Sequence, residues 1–138
     1  MRRAPRVRFR ARAELDGVDA RAVRAIVERV WELYAGPAGE IIEVVLMSEE
    51  EHTALHAEFL DDPSSTDVMA FPYGDEDLFG EVLVNRDVAV TEARNRRKEA
   101  AGEVLLYVAH GALHLLGFRD DTPGARAEMR AAERRALG

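Results

Sequence analysis

The chain has 138 residues, 47% of them hydrophobic and 33% charged, globular values that suit one domain over residues 1–138 with a real core. It has no cysteine, which excludes disulfides and thiolate metal ligands and suits a reducing cytoplasm. A net charge of -7 does not advertise a nucleic-acid binder, no apolar run approaches a membrane span, and the arginine-rich start lacks the apolar region of a secretory signal.

The charge is segregated. Arg2, Arg3, Arg6, Arg8, Arg10 and Arg12 crowd the first dozen positions, and Arg94, Arg96, Arg97 and Lys98 form a second basic cluster. Acids gather at residues 49–51, 61–62 and 75–77. Either basic cluster could meet RNA or be solvated surface charge.

Residues 6–15 alternate strictly, with Val7, Phe9, Ala11, Ala13 and Leu15 set against arginines and Glu14. That period predicts a half-buried strand whose arginine row is either a phosphate track or a guard against edge pairing. Asp19 caps a helix to about Tyr34, with Val23, Ile26, Val27, Val30, Trp31 and Tyr34 on its buried face. Trp31 and Tyr34 read as core, not as a base-stacking platform. Residues 41–47 are apolar except Glu43, which suggests an inner strand covered on both faces. Ser48 caps a short helix with three glutamates at its positive end and His52, Leu55, His56 and Phe59 turned inward.

A polar loop at 61–65 leads to strands at 66–71 and 78–85, an expected antiparallel hairpin. Asp67 and Glu81 sit among apolar neighbours there and each needs a partner. Asp87 is the expected cap of a helix ending in the second basic cluster, and Gly102 marks a break. Thr122-Pro123 opens a last helix over 124–137 that turns Ala125, Met129, Ala132 and Ala136 inward. The order predicts an α+β fold: a mixed four-stranded sheet packed with about five helices.

The most informative stretch is 103–121, EVLLYVAHGALHLLGFRDD. At helical period it is apolar nearly all round, the mark of a buried helix. It nevertheless carries His110 and His114, one turn apart on one face, with Glu103 two turns earlier on that stripe. Two buried imidazoles need partners. A divalent metal would serve both; hydrogen bonds to backbone or to Glu103 are the alternative. Gly117 suits a left-handed exit from the helix, which would return residues 118–121 towards the histidines and offer a carboxylate as third ligand. A lone H-x-x-x-H is a weak signal, as the second pair His52 and His56 makes plain.

HGALHLLGFRDD resembles the motif H-G-x-L-H-L-x-G-[YF]-D-H of the YbeY endoribonucleases, also called rRNA maturation factors. Residues 66–72, TDVMAFP, are similar to the family's T-D-V-L-S-F-P. Gly80-Glu81-Val82 stands where G-D-I is usual, and Glu103 matches a glutamate seven residues before the first ligand. The likeness runs from near Ile41 to the last residue. It implies a metal set of His110, His114 and the residue at 120, on the central buried helix. It also implies that the segments around Asp67 and Glu81 line the cleft facing that helix. The family's third histidine is here Asp120, and its active-site arginine falls at Leu60; His56 stands where asparagine is usual.

Two imidazoles and a carboxylate are an ordinary zinc set with an open fourth position, one Zn2+ per chain, though another transition metal fits the same donors. Such an ion would lower the pKa of its water enough to supply hydroxide near neutrality. The resemblance implies a single-strand-specific endoribonuclease in which that water attacks a phosphodiester. Its expected role is ribosomal RNA 3′-end maturation and ribosome quality control, with ribosomal RNA or a ribosomal subunit as partner in the cytoplasm. Glu103 is an expected outer neighbour of the metal, and Arg96, Arg97 and Arg119 are the expected RNA-binding cations. A metallopeptidase would need glutamate where Gly111 stands. With Leu60 in the arginine position, a metal-stabilised ribosome- or RNA-binding protein with little catalysis is the competing expectation.

Overall fold

A computed structural model describes residues 4–75 and 77–138, so Arg2, Arg3 and Glu76 of the charge clusters lie outside the described residues. The elements are β1 (Arg6–Ala11), α1 (Ala20–Leu33), β2 (Ile41–Met47), α2 (Glu49–Leu60), β3 (Val68–Pro72), β4 (Gly80–Asn85), α3 (Arg86–Arg96), α4 (Ala100–Leu115) and α5 (Pro123–Leu137). The sheet order is β1-β2-β4-β3. β2 runs parallel to β1 and β4, and β3 pairs antiparallel with β4. Among the described residues this is the expected α+β fold, with a mixed four-stranded sheet and five helices. No helix among the described residues is long and apolar enough to cross a membrane.

Alternation makes β1 a half-buried edge strand. It ends at Ala11, short of the expected residue 15, because the amides of Arg12 and Ala13 both donate to the Leu46 carbonyl and the ladder stops. Arg12 bonds Glu51 at 2.7 Å and Arg10 lies 3.6 Å from Glu43. These arginines are tied to acids at the edge of the sheet opposite β3.

Asp19 caps α1 by accepting from the Ala22 amide at 2.8 Å, and Val23, Val27, Val30 and Trp31 are buried. Trp31 is core as expected, its indole N–H donating to Pro37 O at 3.0 Å. The main core joins α1, α4 and α5 to one face of the sheet through Ile42, Val44, Leu46, Val82 and Val84. Residues of opposite parity, Val45, Met47, Met69 and Leu83, form a second cluster with Leu55 of α2. Covered on both faces, β2 is the inner strand its sequence predicts.

Three local expectations need correction. Phe59 is 58% exposed; it lies in the last turn of α2 and meets Phe71 edge-on at 5.6 Å. The cap of α3 is Asn85, which accepts from the amides of Asp87 and Val88. Strand β4 runs straight into that helix, and Asp87 instead accepts the Glu49 amide at 2.8 Å, adding a cap to α2. Gly102 is no break, because it lies within the first turn of α4.

Helix α4 is the hub, in contact with α1, α3, α5, β3 and β4. Apart from the exposed Gly102, all its residues are buried or half-buried. It presses on the sheet at Gly111, where an added Cβ would lie 2.5 Å from Val82 Cγ1. Alanine has the better helix propensity by about 1 kcal/mol, but Val82 is stiff and fully buried. Gly111→Ala should therefore lower stability by about 1–3 kcal/mol in thermal or denaturant unfolding. Adding Val82→Ala should recover part of that loss.

Candidate metal centre

The end of α4 shapes the site. Gly117 adopts φ 97°; its amide donates to His114 O and that of Phe118 to Leu113 O, both at 3.0 Å. This paired pattern closes the helix and reverses the chain. The reversal carries Asp120 over the two histidines. Asp120 Oδ2 lies 3.3 Å from His110 Nε2 and 3.3 Å from His114 Nε2. The two Nε2 atoms are 3.0 Å apart.

Three donor atoms thus form a nearly equilateral triangle. A tetrahedral ion with bonds of about 2.0–2.1 Å would hold its ligand atoms about 3.4 Å apart. The triangle fits that requirement, and His110, His114 and Asp120 together could hold a metal ion. An asparagine at 120 would reach as far, but without the charge.

The sequence reasoning missed Glu133. His110 Nδ1–H donates to Glu133 Oε2 at 2.6 Å. Burial opposes protonation of His110, but the hydrogen bond and charge of Glu133 outweigh it, with Asp120 and Asp67 adding. The imidazole pKa therefore stands above its ordinary value. A signal existed: Glu133 lies beside Met129, Ala132 and Ala136, the buried stripe of α5. An acid on an inward stripe needs a partner.

Glu103 points elsewhere. It is 4% exposed, with Oε1 3.6 Å from Arg96 and, among the described residues, no hydrogen-bond partner for Oε2. Arg96 is also 3.5 Å from Glu92. Burial and nearby Glu103 push the Tyr107 hydroxyl up, so it stays a protonated phenol.

Two cavities flank the triangle and share Thr66. A polar one of about 440 Å³ is lined by Asp67, Glu92, Arg96, Tyr107, His110 and Glu133 among others. A less polar one of about 510 Å³ is lined by His56, Leu60, β3 and His114. Asp67 thus shares a cavity with His110, while its Oδ1 accepts the Val68 amide at 2.8 Å. Glu81 does not: it takes the Tyr73 hydroxyl at 3.1 Å and lines a separate cavity with Arg10, Arg12 and Glu43.

Of the three expected RNA-binding arginines, Arg96 alone lines a cavity beside a histidine. Arg97 is the left-handed cap of α3, and Arg119 pairs with Asp121. The second histidine pair bonds to backbone carbonyls, and His56 also lines the cavity beside His114. His52 Nε2 meets Leu83 O and His56 Nδ1 meets Asp62 O, each at 2.8 Å. Burial lowers the pKa of His52.

Fold and site together define a class: an α+β protein whose buried helix and glycine bend gather a His/His/Asp group fit for a divalent ion. A family model described as Endoribonuclease YbeY matches residues 10–138. A relative named Endoribonuclease YbeY from Kineococcus radiotolerans is 35% identical, covering 88% of this chain and 76% of the relative. One of the same name from an Arthrobacter species is 32% identical over 87% of this chain and 83% of its own length. The solution structure of a Thermotoga maritima protein superposes with a TM-score of 0.64 at 26% identity, covering 96% of this chain and 89% of that one. The chain belongs to the YbeY endoribonuclease family, whose members are named as hydrolases of RNA.

If the triangle is the ligand set, Asp120→Ala should lose most bound metal, read by elemental analysis of purified protein. Unchanged metal content would pass the role to another group.

Proposed function

We propose that this chain is a metal-dependent, single-strand-specific endoribonuclease that acts in ribosomal RNA 3′-end maturation and ribosome quality control. The observation that carries the reading is the triangle of two imidazole nitrogens and one carboxylate oxygen, 3.0–3.3 Å on each side, in a chain of that family. His110, His114 and Asp120 would hold the ion, and zinc suits two neutral imidazoles with a carboxylate and no thiolate. Nickel or another transition ion suits the same donors. The bound ion supplies Lewis acidity for phosphodiester hydrolysis.

The chain's own groups bind and orient. Arg96 puts a guanidinium on the wall of the polar cavity, where it could meet a phosphate oxygen. The other cavity offers apolar surface from Val68, Ala70 and Phe71, suited to an unpaired base. Cavities of this size take nucleotides whose bases are splayed out, the usual target of sequence-bearing RNA contacts. Ribosomal RNA or a ribosomal subunit in the cytoplasm is the proposed partner.

Leu60 favours a second reading. It is 52% exposed on the wall beside His114 and supplies no cation, which suits a metal-stabilised ribosome- or RNA-binding protein with little catalysis. Cleavage of a ribosomal RNA fragment bearing single-stranded segments, with and without chelator, separates the two. The nuclease reading expects cleavage that chelator abolishes; binding without cleavage supports the other. Leu60→Arg should raise cleavage roughly tenfold or more if the missing cation limits the rate. No gain, together with a loss in Arg96→Ala, would give that job to Arg96.

A further inference from the structure

We propose that Glu133 is the positioning residue of the metal centre: it sets the His110 ring so that Nε2 presents a lone pair to the ion. This rests on the metal reading of the triangle. The bond from His110 Nδ1 to Glu133 Oε2 is 2.6 Å, a charge-assisted length. A carboxylate can only accept, so Nδ1 carries the proton. In the neutral ring Nε2 is then bare. That bare nitrogen lies 3.0 Å from His114 Nε2 and 3.3 Å from Asp120 Oδ2, at the point where the donors converge.

The choice of partner supports a specific role. Glu133 lies on a helix rich in arginine, yet its side chain is only 13% exposed and its ion-pair partner among the described residues is His110 on α4. Packing of α5 on α4 through Met129, Ala132 and Ala136 fixes the distance. Charge also balances: two neutral imidazoles, Asp120 and Glu133 carry two negative charges, which a divalent cation neutralises. Carboxylates behind ligating histidines act in this way, fixing the tautomer and raising ligand basicity.

The test uses full-length wild type, Glu133→Ala and Glu133→Gln, each checked for folding by circular dichroism. Zinc affinity is measured by competition with a chromophoric chelator. Glu133→Ala should bind about 10–100-fold more weakly. Glu133→Gln, whose amide oxygen can still accept from Nδ1–H, should lose less. In metal-free protein above the pH where the ring becomes neutral, long-range 1H–15N spectra should find His110 protonated on Nδ1 in wild type and Glu133→Gln, with that preference lost in Glu133→Ala. Wild type that binds zinc while Glu133→Ala binds it equally well overturns the role of Glu133 alone, as does a wild-type ring protonated on Nε2. Wild type that binds no zinc overturns the metal reading beneath it. A merely structural Glu133 would lower the melting temperature of Glu133→Ala and leave zinc affinity and tautomer unchanged.

Discussion

Two imidazoles on an interior helix must be satisfied, and the way they are satisfied organises this molecule. Buried polar groups without partners cost roughly 1–3 kcal/mol each. The chain meets that constraint differently at its two H-x-x-x-H pairs. His52 and His56 spend a ring nitrogen on backbone carbonyls, and His52 Nδ1 is left without a partner among the described residues. His110 and His114 turn Nε2 towards each other and towards Asp120. The bend at Gly117 brings the carboxylate there, and α5 supplies Glu133 behind.

The same helix explains the shape around the centre. Close approach at Gly111 and Gly80 sets α4 hard on β4, leaving space on either side of the triangle. One side is polar, with Arg96 held between Glu92 and Glu103. The other is bounded by the edge strand β3, Leu60 and His56. Such asymmetry suits a nucleotide chain, which has a charged backbone and flat, largely apolar bases.

Much of this was legible in the sequence. Periodicity sufficed for the strands, the inner position of β2 and the buried α4, because burial on one or all faces writes itself into side-chain spacing. Gly117 and the acids after it pointed to the return of a carboxylate, since few residues other than glycine take a left-handed turn easily, and the family resemblance singled out position 120. What stayed hidden depended on contacts between distant segments. Glu133 is 23 positions from His110, and no local rule joins them. Asp87 looked like the cap of its own helix but serves α2, because β4 and α3 meet without a loop. Phe59 follows the inward spacing of α2, yet the helix outruns the surface that would cover it. Arg10 and Arg12 formed an inviting row, and their acidic partners come from β2 and α2.

The most direct measurement is X-ray absorption at the zinc edge of the zinc-loaded protein. Two imidazole rings and carboxylate oxygen in the first shell, at about 2.0–2.1 Å, with one ring's outer-shell scattering lost in His114→Ala, are the expected result. A shell of water oxygens alone, or a spectrum that His114→Ala leaves unchanged, would contradict an ion held by His110, His114 and Asp120.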